Sequence, residues 1–281
     1  MFFKNKIRQI AVCLLLVLLW ACSSTRELVV LHTNDTHSQV EANRESKEVY
    51  GGKGGYARRA AFIAEVRAKN QCVLLVDAGD FCQGTPYFNF FRGEVEAKAL
   101  SAMHYDAVTL GNHEFDNGVD ALANVLSQMQ VPVVCSNYDV KGTPLENKVQ
   151  PFLILNKDGL KIGIIGLGIN PKGLVADQNF KGVIYLDPVE RANYYAQRLK
   201  KTEHCDFVLC LSHLGDTGVE VSDRIVAAKS AYIDMIVGGH THKLIQGLKV
   251  ANAVGDSVPI VQAGKTGAYI GQIHIKFKKA K

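Results

Sequence analysis

The strongest constraint on this chain is a unit that recurs along it: a short Val/Leu/Ile run that stops at a cluster of Gly, Asp, Asn or His. Runs at 28–31, 73–77, 106–109, 131–135, 161–167, 206–211 and 233–237 read as strands. Several are apolar at every position, the pattern of a sheet covered on both faces. Between them, 55–69, 94–104, 119–128, 188–201 and 219–230 carry helical periodicity. Segments at 244–250, 258–262 and 268–277 predict strands in a hairpin-like arrangement, and the polar stretches 137–150 and 170–181 predict loops. This alternation, without internal repeats or a linker-like shift in composition, predicts one α/β domain from about residue 27 onward.

The chemistry sits where strands end. Five runs lead into Asn34-Asp35-Thr36-His37, Gly79-Asp80, Gly111-Asn112-His113-Glu114-Phe115-Asp116, Ser212-His213-Leu214-Gly215-Asp216 and Gly238-Gly239-His240-Thr241-His242. In open α/β sheets the carboxyl ends of strands face a common crevice, so clusters spread over some two hundred residues can meet. Five of the nine histidines fall in these clusters. Asp, His and an Asn carbonyl are hard-to-borderline ligands, suited to Mn, Zn, Fe or Co rather than to soft copper or a calcium cage. Taken singly, each cluster is weak: Gly-Asp after a strand is usually a turn, and a lone His is usually a hydrogen-bonded surface residue. Their joint occurrence at strand ends is what points to a metal centre. The Asp35-x-His37 and His240-x-His242 pairs predict alternate side chains on one side of an extended segment. Glu114 is expected to orient its neighbours. His32, His104, His204 and His274 lie outside the clusters and read as structural.

The amino terminus carries an address. Lys4, Lys6 and Arg8 precede a stretch without charge from residue 10 to residue 21, too short to cross a bilayer core of about 30 Å. The stretch ends at Ala21-Cys22-Ser23, which resembles a bacterial lipobox. It predicts a signal peptide over 1–21, lipidation at Cys22, a mature domain over 22–281, and a place in the bacterial cell envelope outside the cytoplasm. Without the three basic residues the net charge falls from +5 to +2, which removes the argument for a nucleic-acid partner. Cys72, Cys82, Cys135, Cys205 and Cys210 show no CxxC pair and read as buried thiols. Tyr87, Phe88, Phe90 and Phe91 read as packing at a helix start, with a substrate or partner surface as the alternative.

Asp35-x-His37, Gly79-Asp80, Gly111-Asn112-His113-Glu114, Ser212-His213 and Gly239-His240-Thr241-His242 resemble the motifs of the calcineurin-like metallophosphoesterases. The longer strings at 31–37, 79–86 and 111–118, with Gly54-Gly55-Tyr56-Ala57-Arg58-Arg59, resemble the catalytic domain of the 5′-nucleotidase/UDP-sugar hydrolase branch. The resemblance implies a four-layer αββα sandwich with two mixed sheets, and a site for two divalent ions (Mn, Zn, Co or Fe). One ion would take Asp35, His37, Asp80 and His242; the other would take Asp80, Asn112, His213 and His240, with Asp80 bridging. His113 and Asp116 match the family's catalytic dyad, and Asn112 and His113 would touch substrate. In that family a second, carboxy-terminal domain recognises the nucleoside. This chain stops at Lys281, so the expectation is a catalytic domain alone, with base recognition weak or supplied by a separate polypeptide.

The expected reaction is hydrolysis of a phosphate ester, most simply a nucleotide. Two ions about 3.5–4 Å apart neutralise phosphoryl oxygens and acidify an attacking water. Two other readings stay open on the sequence: a non-catalytic lipoprotein that binds a nucleotide or a partner, and a hydrolase of another ester (cyclic phosphodiester, UDP-sugar or thiosulfate ester).

Overall fold

The computed structural model describes residues 25–217 and 221–278. The signal-peptide and Cys22 expectations lie outside the described residues. In chain order the first half is β1 (Arg26–Thr33), α1 (Tyr56–Lys69), β2 (Val73–Asp77), α2 (Pro86–Phe91), α3 (Glu94–Ala102), β3 (Ala107–Val108), α4 (Val119–Gln128) and β4 (Val133–Val134). Then follow β5 (Tyr138–Asp139), β6 (Val149–Gln150), β7 (Phe152–Lys157), β8 (Leu160–Leu167), β9 (Ile184–Tyr185), α5 (Pro188–Lys201) and β10 (Phe207–Ser212). The last elements are α6 (Asp223–Lys229), β11 (Met235–Gly238), β12 (Leu244–Ala251), β13 (Ser257–Ala263) and β14 (Gly271–Phe277).

Two six-stranded mixed sheets form, in the orders β14-β1-β2-β3-β4-β6 and β12-β13-β11-β10-β8-β7. The doubly apolar strands explain how they stack. In β1, Leu28 and Val30 face a core between the sheets, while Val29 and Leu31 face the helices. In β2, Leu74 and Val76 point inward, and Val73 and Leu75 point outward. In β10, Leu209 and Leu211 join the central core, while Val208 and Cys210 meet Ala192, Leu199 and Val226 of α5 and α6. Three cores thus separate four layers, helix–sheet–sheet–helix, as expected. The five described cysteines are free and buried.

The amphipathic pattern of α5 carries its own boundaries. Asp187 caps it by accepting from Val189 N at 2.8 Å and Glu190 N at 2.9 Å, Pro188 opens the first turn, and Arg198, Lys200 and Lys201 close the last. Such a cap is worth about 1 kcal/mol, and the charges complement the helix dipole.

One strand is added to the sequence reading and three local expectations are corrected. The segment 152–157 is a strand, β7, antiparallel to β8. Its signal was present: Asp158-Gly159 between apolar runs, with φ of 49° and 73°, is the positive-φ pair of a tight hairpin. The stretch 137–150 holds the short strands β5 and β6, and 170–181 holds a 3₁₀ turn, Asp177–Phe180. β14 does not extend the β12–β13 hairpin; it crosses to pair antiparallel with β1, closing the edge of the other sheet. The aromatic stretch forms α2, of which Phe88 is buried and Phe90 and Phe91 are exposed.

Candidate functional site

The parallel strands β1, β2 and β3 of one sheet and β10 and β11 of the other deliver all five clusters to one crevice. The loops are bonded to each other rather than merely adjacent. Asp35 N donates to Gly79 O at 2.9 Å and His37 N to Asp80 O at 3.0 Å, continuing the β1–β2 pairing past the sheet. Across the sheets, His213 Nδ1 bonds the Ala78 carbonyl at 2.7 Å, and His240 N donates to both Asp35 oxygens at 3.0 Å.

The Asp-x-His and His-x-His pairs reach the same side by a different route from the expected extended one. Asp35, His37, Asp80, His240 and His242 all have positive φ, between 47° and 69°. Asp and His tolerate this left-handed region better than most residues, yet it is strained and persists only where the surroundings over-determine it. Here the loop-to-loop hydrogen bonds provide that constraint.

Three donor groups result, each with ligand atoms within 4.8 Å of one another: Asp35, His37 and His242; His37, Asp80 and His113; and Asp80, His213 and His240. His37 Nε2 and His242 Nε2 stand 3.0 Å apart, and Asp35 Oδ1 is 3.4 Å from His242 Nε2. His213 Nε2 is 2.9 Å from Asp80 Oδ2. Asn112 directly precedes His113 in the chain, and among the described residues its buried Oδ1 has no hydrogen-bond partner. An unpaired buried acceptor of this kind is costly. Carboxylates and imidazoles gathered within 4.8 Å of one another fit divalent cations, as the composition of the clusters implies, and the unpaired Asn112 oxygen is a further candidate ligand.

Charge tells the same story. Burial opposes a charge on His213, yet Asp80, Asp35 and the Ala78 carbonyl together push it up to about 10. Burial likewise opposes ionisation of Asp80, but His213, His113 and His37 hold it well below the usual carboxylate range. Burial lowers His37 and His240, favouring the neutral form that ligates metal. His113 Nδ1 meets Asp116 Oδ2 at 2.8 Å, and this bond raises His113 against the opposing effect of burial.

Glu114 points into the protein and ties the loops together. Its buried carboxylate accepts from Asp80 N at 3.0 Å, Gly111 N at 2.6 Å and Cys82 N at 3.0 Å. Burial and the nearby Asp80 push it up to about 8. Gly111 permits the close approach: a Cβ there would lie 2.1 Å from Asp80 Oδ1.

Sequence reasoning missed two residues. Gln262, at the end of β13, accepts from Thr241 Oγ1 at 2.9 Å and Lys243 N at 2.8 Å, and donates to Gly239 O, so it fixes the His240–His242 turn. Asp223 is buried against Ser212 Oγ at 2.5 Å, behind the His213 loop. Gln262 follows an apolar run as the cluster residues do; Asp223 left no comparable signal. His32 is buried and pushed down to about 4 by burial, and His274 pairs with Glu27, both away from the site.

Residues 28–244 match the family model described as calcineurin-like phosphoesterase. A snake venom 5′-nucleotidase from Crotalus adamanteus is 34% identical over 94% of this chain and 48% of its own length. The human 5′-nucleotidase is 32% identical over 92% and 48%. Among solved structures, a 5′-nucleotidase precursor from Thermus thermophilus superposes with a TM-score of 0.82 at 32% identity, covering 90% of this chain and 52% of that one. A Haemophilus influenzae NAD nucleotidase gives 0.81 at 30%, covering 91% and 48%. The chain thus spans about half the length of the curated relatives it matches. Motif order, the two mixed sheets and the metal-ligand cluster at their shared edge agree with the family match: the chain belongs to the calcineurin-like phosphoesterases.

Proposed function

We propose that this chain is a two-metal phosphohydrolase that releases phosphate from nucleotides. The observation that carries the reading is the meeting of Asp35, His37, Asp80, His213, His240 and His242, with the unpaired Asn112 Oδ1 as a further candidate ligand. Asp35, His37, Asp80 and His242 would hold one cation. Asp80, Asn112, His213 and His240 would hold the second, with Asp80 shared. Such a pair neutralises phosphoryl oxygens and acidifies the attacking water. The chain's own residues do the rest. Ala78 O fixes the His213 ring through Nδ1, and Glu114 fixes the backbone that carries Asp80. Asp116 holds His113 through Nδ1 and favours its protonated form. The free Nε2–H of His113 then donates to a phosphoryl oxygen or to the leaving oxygen as charge develops there.

The nucleotide preference rests on relatives named 5′-nucleotidase, and pyrophosphate bonds enter the comparison because one structural relative is a NAD nucleotidase. A hydrolysis screen of the metal-loaded protein against AMP, NAD, a UDP-sugar, a cyclic phosphodiester and an aryl phosphate tests it. Cation-dependent phosphate release from AMP is expected; binding of AMP without turnover of any ester would favour a non-catalytic role instead.

We also propose envelope anchoring through Cys22, on the strength of Lys4, Lys6, Arg8, the uncharged stretch 10–21 and Ala21-Cys22. Among the described residues, no helix is long and apolar enough to cross a membrane. Cys22→Ser should release the protein from membranes; unchanged fractionation would contradict the anchor.

A further inference from the structure

The Gly-rich motif before α1 has no part in the cluster described above, yet it builds a cationic recess of its own. Lys53, Arg58 and Arg59 line a hollow of about 380 Å³ together with Gly52, Gly267 and Tyr269. The hollow sits at the amino end of α1, a fourteen-residue helix whose Gly55 cap offers no side-chain bond and whose first turn holds no acid. Tyr56 N of that turn already donates to Val40 O at 2.8 Å, so what the helix end offers an anion is the positive end of its dipole.

Among the described residues, none of the three cations forms a close ion pair with a carboxylate, although Arg59 is near enough to Asp77 to stabilise its charge. Arg58 donates to the Gly52 carbonyl, and Lys53 Nζ donates to Val49 O and to Tyr269 Oη, each at 2.7 Å. Arg59 is only 2% exposed; its guanidinium lies over the Tyr56 ring, 5.1 Å from the centroid, and interacts with the Tyr105 hydroxyl, while its Nε and Nη2 have no hydrogen-bond partner among the described residues. Its guanidinium lies against Gly267, where a Cβ would fall 1.8 Å from Nη2. Two acids stand nearby and are otherwise engaged or unpaired: Asp77, inside the protein, already accepts from Thr33 Oγ1 and Gly79 N, and Glu45 lies against Gly52 without an ion pair. Two guanidinium groups and an ammonium beside the positive end of a helix match a tetrahedral oxyanion.

We propose that this recess binds a phosphate group, at a site separate from the metal-ligand cluster. The two sites share a wall: the loop after β13 supplies Gly267 and Tyr269 to the recess, while Thr266 N of the same loop donates to Asp35 O at 2.7 Å.

The test is calorimetric titration of the metal-loaded protein with inorganic phosphate, on wild type, on Lys53→Ala/Arg58→Ala and on Asp80→Asn. Both lysine and arginine positions are at the surface, so the double variant is expected to fold. Wild type should show two classes of phosphate site. The double variant should lose one class or weaken it at least about tenfold, the effect of one or two charged hydrogen bonds. Asp80→Asn should keep that class. A double variant that binds as wild type does, or an Asp80→Asn protein that binds no phosphate, overturns the proposal. Recess binding that survives without turnover of AMP would fault the catalytic reading alone. Vesicles of phosphatidylglycerol offered to the Cys22→Ser protein separate the sources: co-sedimentation displaced by phosphate assigns a lipid headgroup, and its absence assigns a soluble phosphate.

Discussion

Glu114 offers the sharpest test of how the loops are held, because one carboxylate satisfies three buried backbone N–H groups on two ligand-bearing segments. Glu114→Ala leaves all three without an acceptor. At about 1–3 kcal/mol each, and with a water able to enter the vacated space, the loss is about 3–6 kcal/mol. Glu114→Gln keeps an oxygen for one side of the fork but turns an NH₂ toward the other, so about 1–3 kcal/mol is lost. For a domain of this size that is a fall in Tm of roughly 2–10 °C. The Gln variant should be more harmful with cations than without. In metal-free protein, burial and Asp80 shift Glu114 toward its protonated form, which resembles the amide more closely. A cation beside Asp80 removes that repulsion and favours the carboxylate. Because the same bonds fix Asp80 and Gly111, cation affinity should fall by about 10–100-fold, as for other residues that orient ligands. Thermal unfolding with and without metal, and a cation titration, measure both effects. Wild-type Tm and affinity in both variants would refute the reasoning.

Further outcomes follow from the same geometry. On the proposed role of His113 as a donor to substrate rather than a metal ligand, His113→Ala should keep its metal and lose about 10²–10⁴-fold in kcat; loss of metal, or unchanged turnover at full metal content, contradicts that role. Gly111→Ala should lose bound metal while far-UV circular dichroism stays native, because its Cβ would collide with Asp80 Oδ1 and His213 Nε2; retention of wild-type metal content contradicts this. Metal-free protein should become less stable as pH rises from about 6.5 to 10. His213 is raised to about 10, so its stabilising proton is fully bound below its unfolded value near 6.5 and lost through that window. Saturating divalent metal should flatten or reverse the trend, since a cation replaces the proton; equal pH dependence with and without metal would contradict it.

The strands that position the site were legible because they are covered on both faces. Leu28, Val30, Leu74 and Val76 serve one core while Val29, Leu31, Val73 and Leu75 serve another, so polar residues return only at the last positions of the strand, His32 and Thr33 in β1 and Asp77 in β2. The same logic failed for β7, half-buried along most of its length, although its Asp158-Gly159 turn announced the hairpin. The destination of β14 was not legible, since an alternating edge strand fits either sheet. At the site, residue types were legible and their backbone was not. Left-handed Asp35, His37, Asp80, His240 and His242 depend on bonds between loops up to 205 residues apart, such as His240 N to Asp35. Gln262 acts over a similar kind of tertiary contact, which no local pattern carries.

The proposed reaction requires a pair of cations that share Asp80 and drive phosphate release. The most direct measurement is phosphate release from AMP as a function of bound metal per chain, from metal-free protein to saturation with Mn or Zn. Two ions per chain, activity absent in the metal-free protein, and loss of both ions and turnover in Asp80→Asn are the predicted result. Saturation at a single ion, or full turnover in metal-free protein, would contradict it.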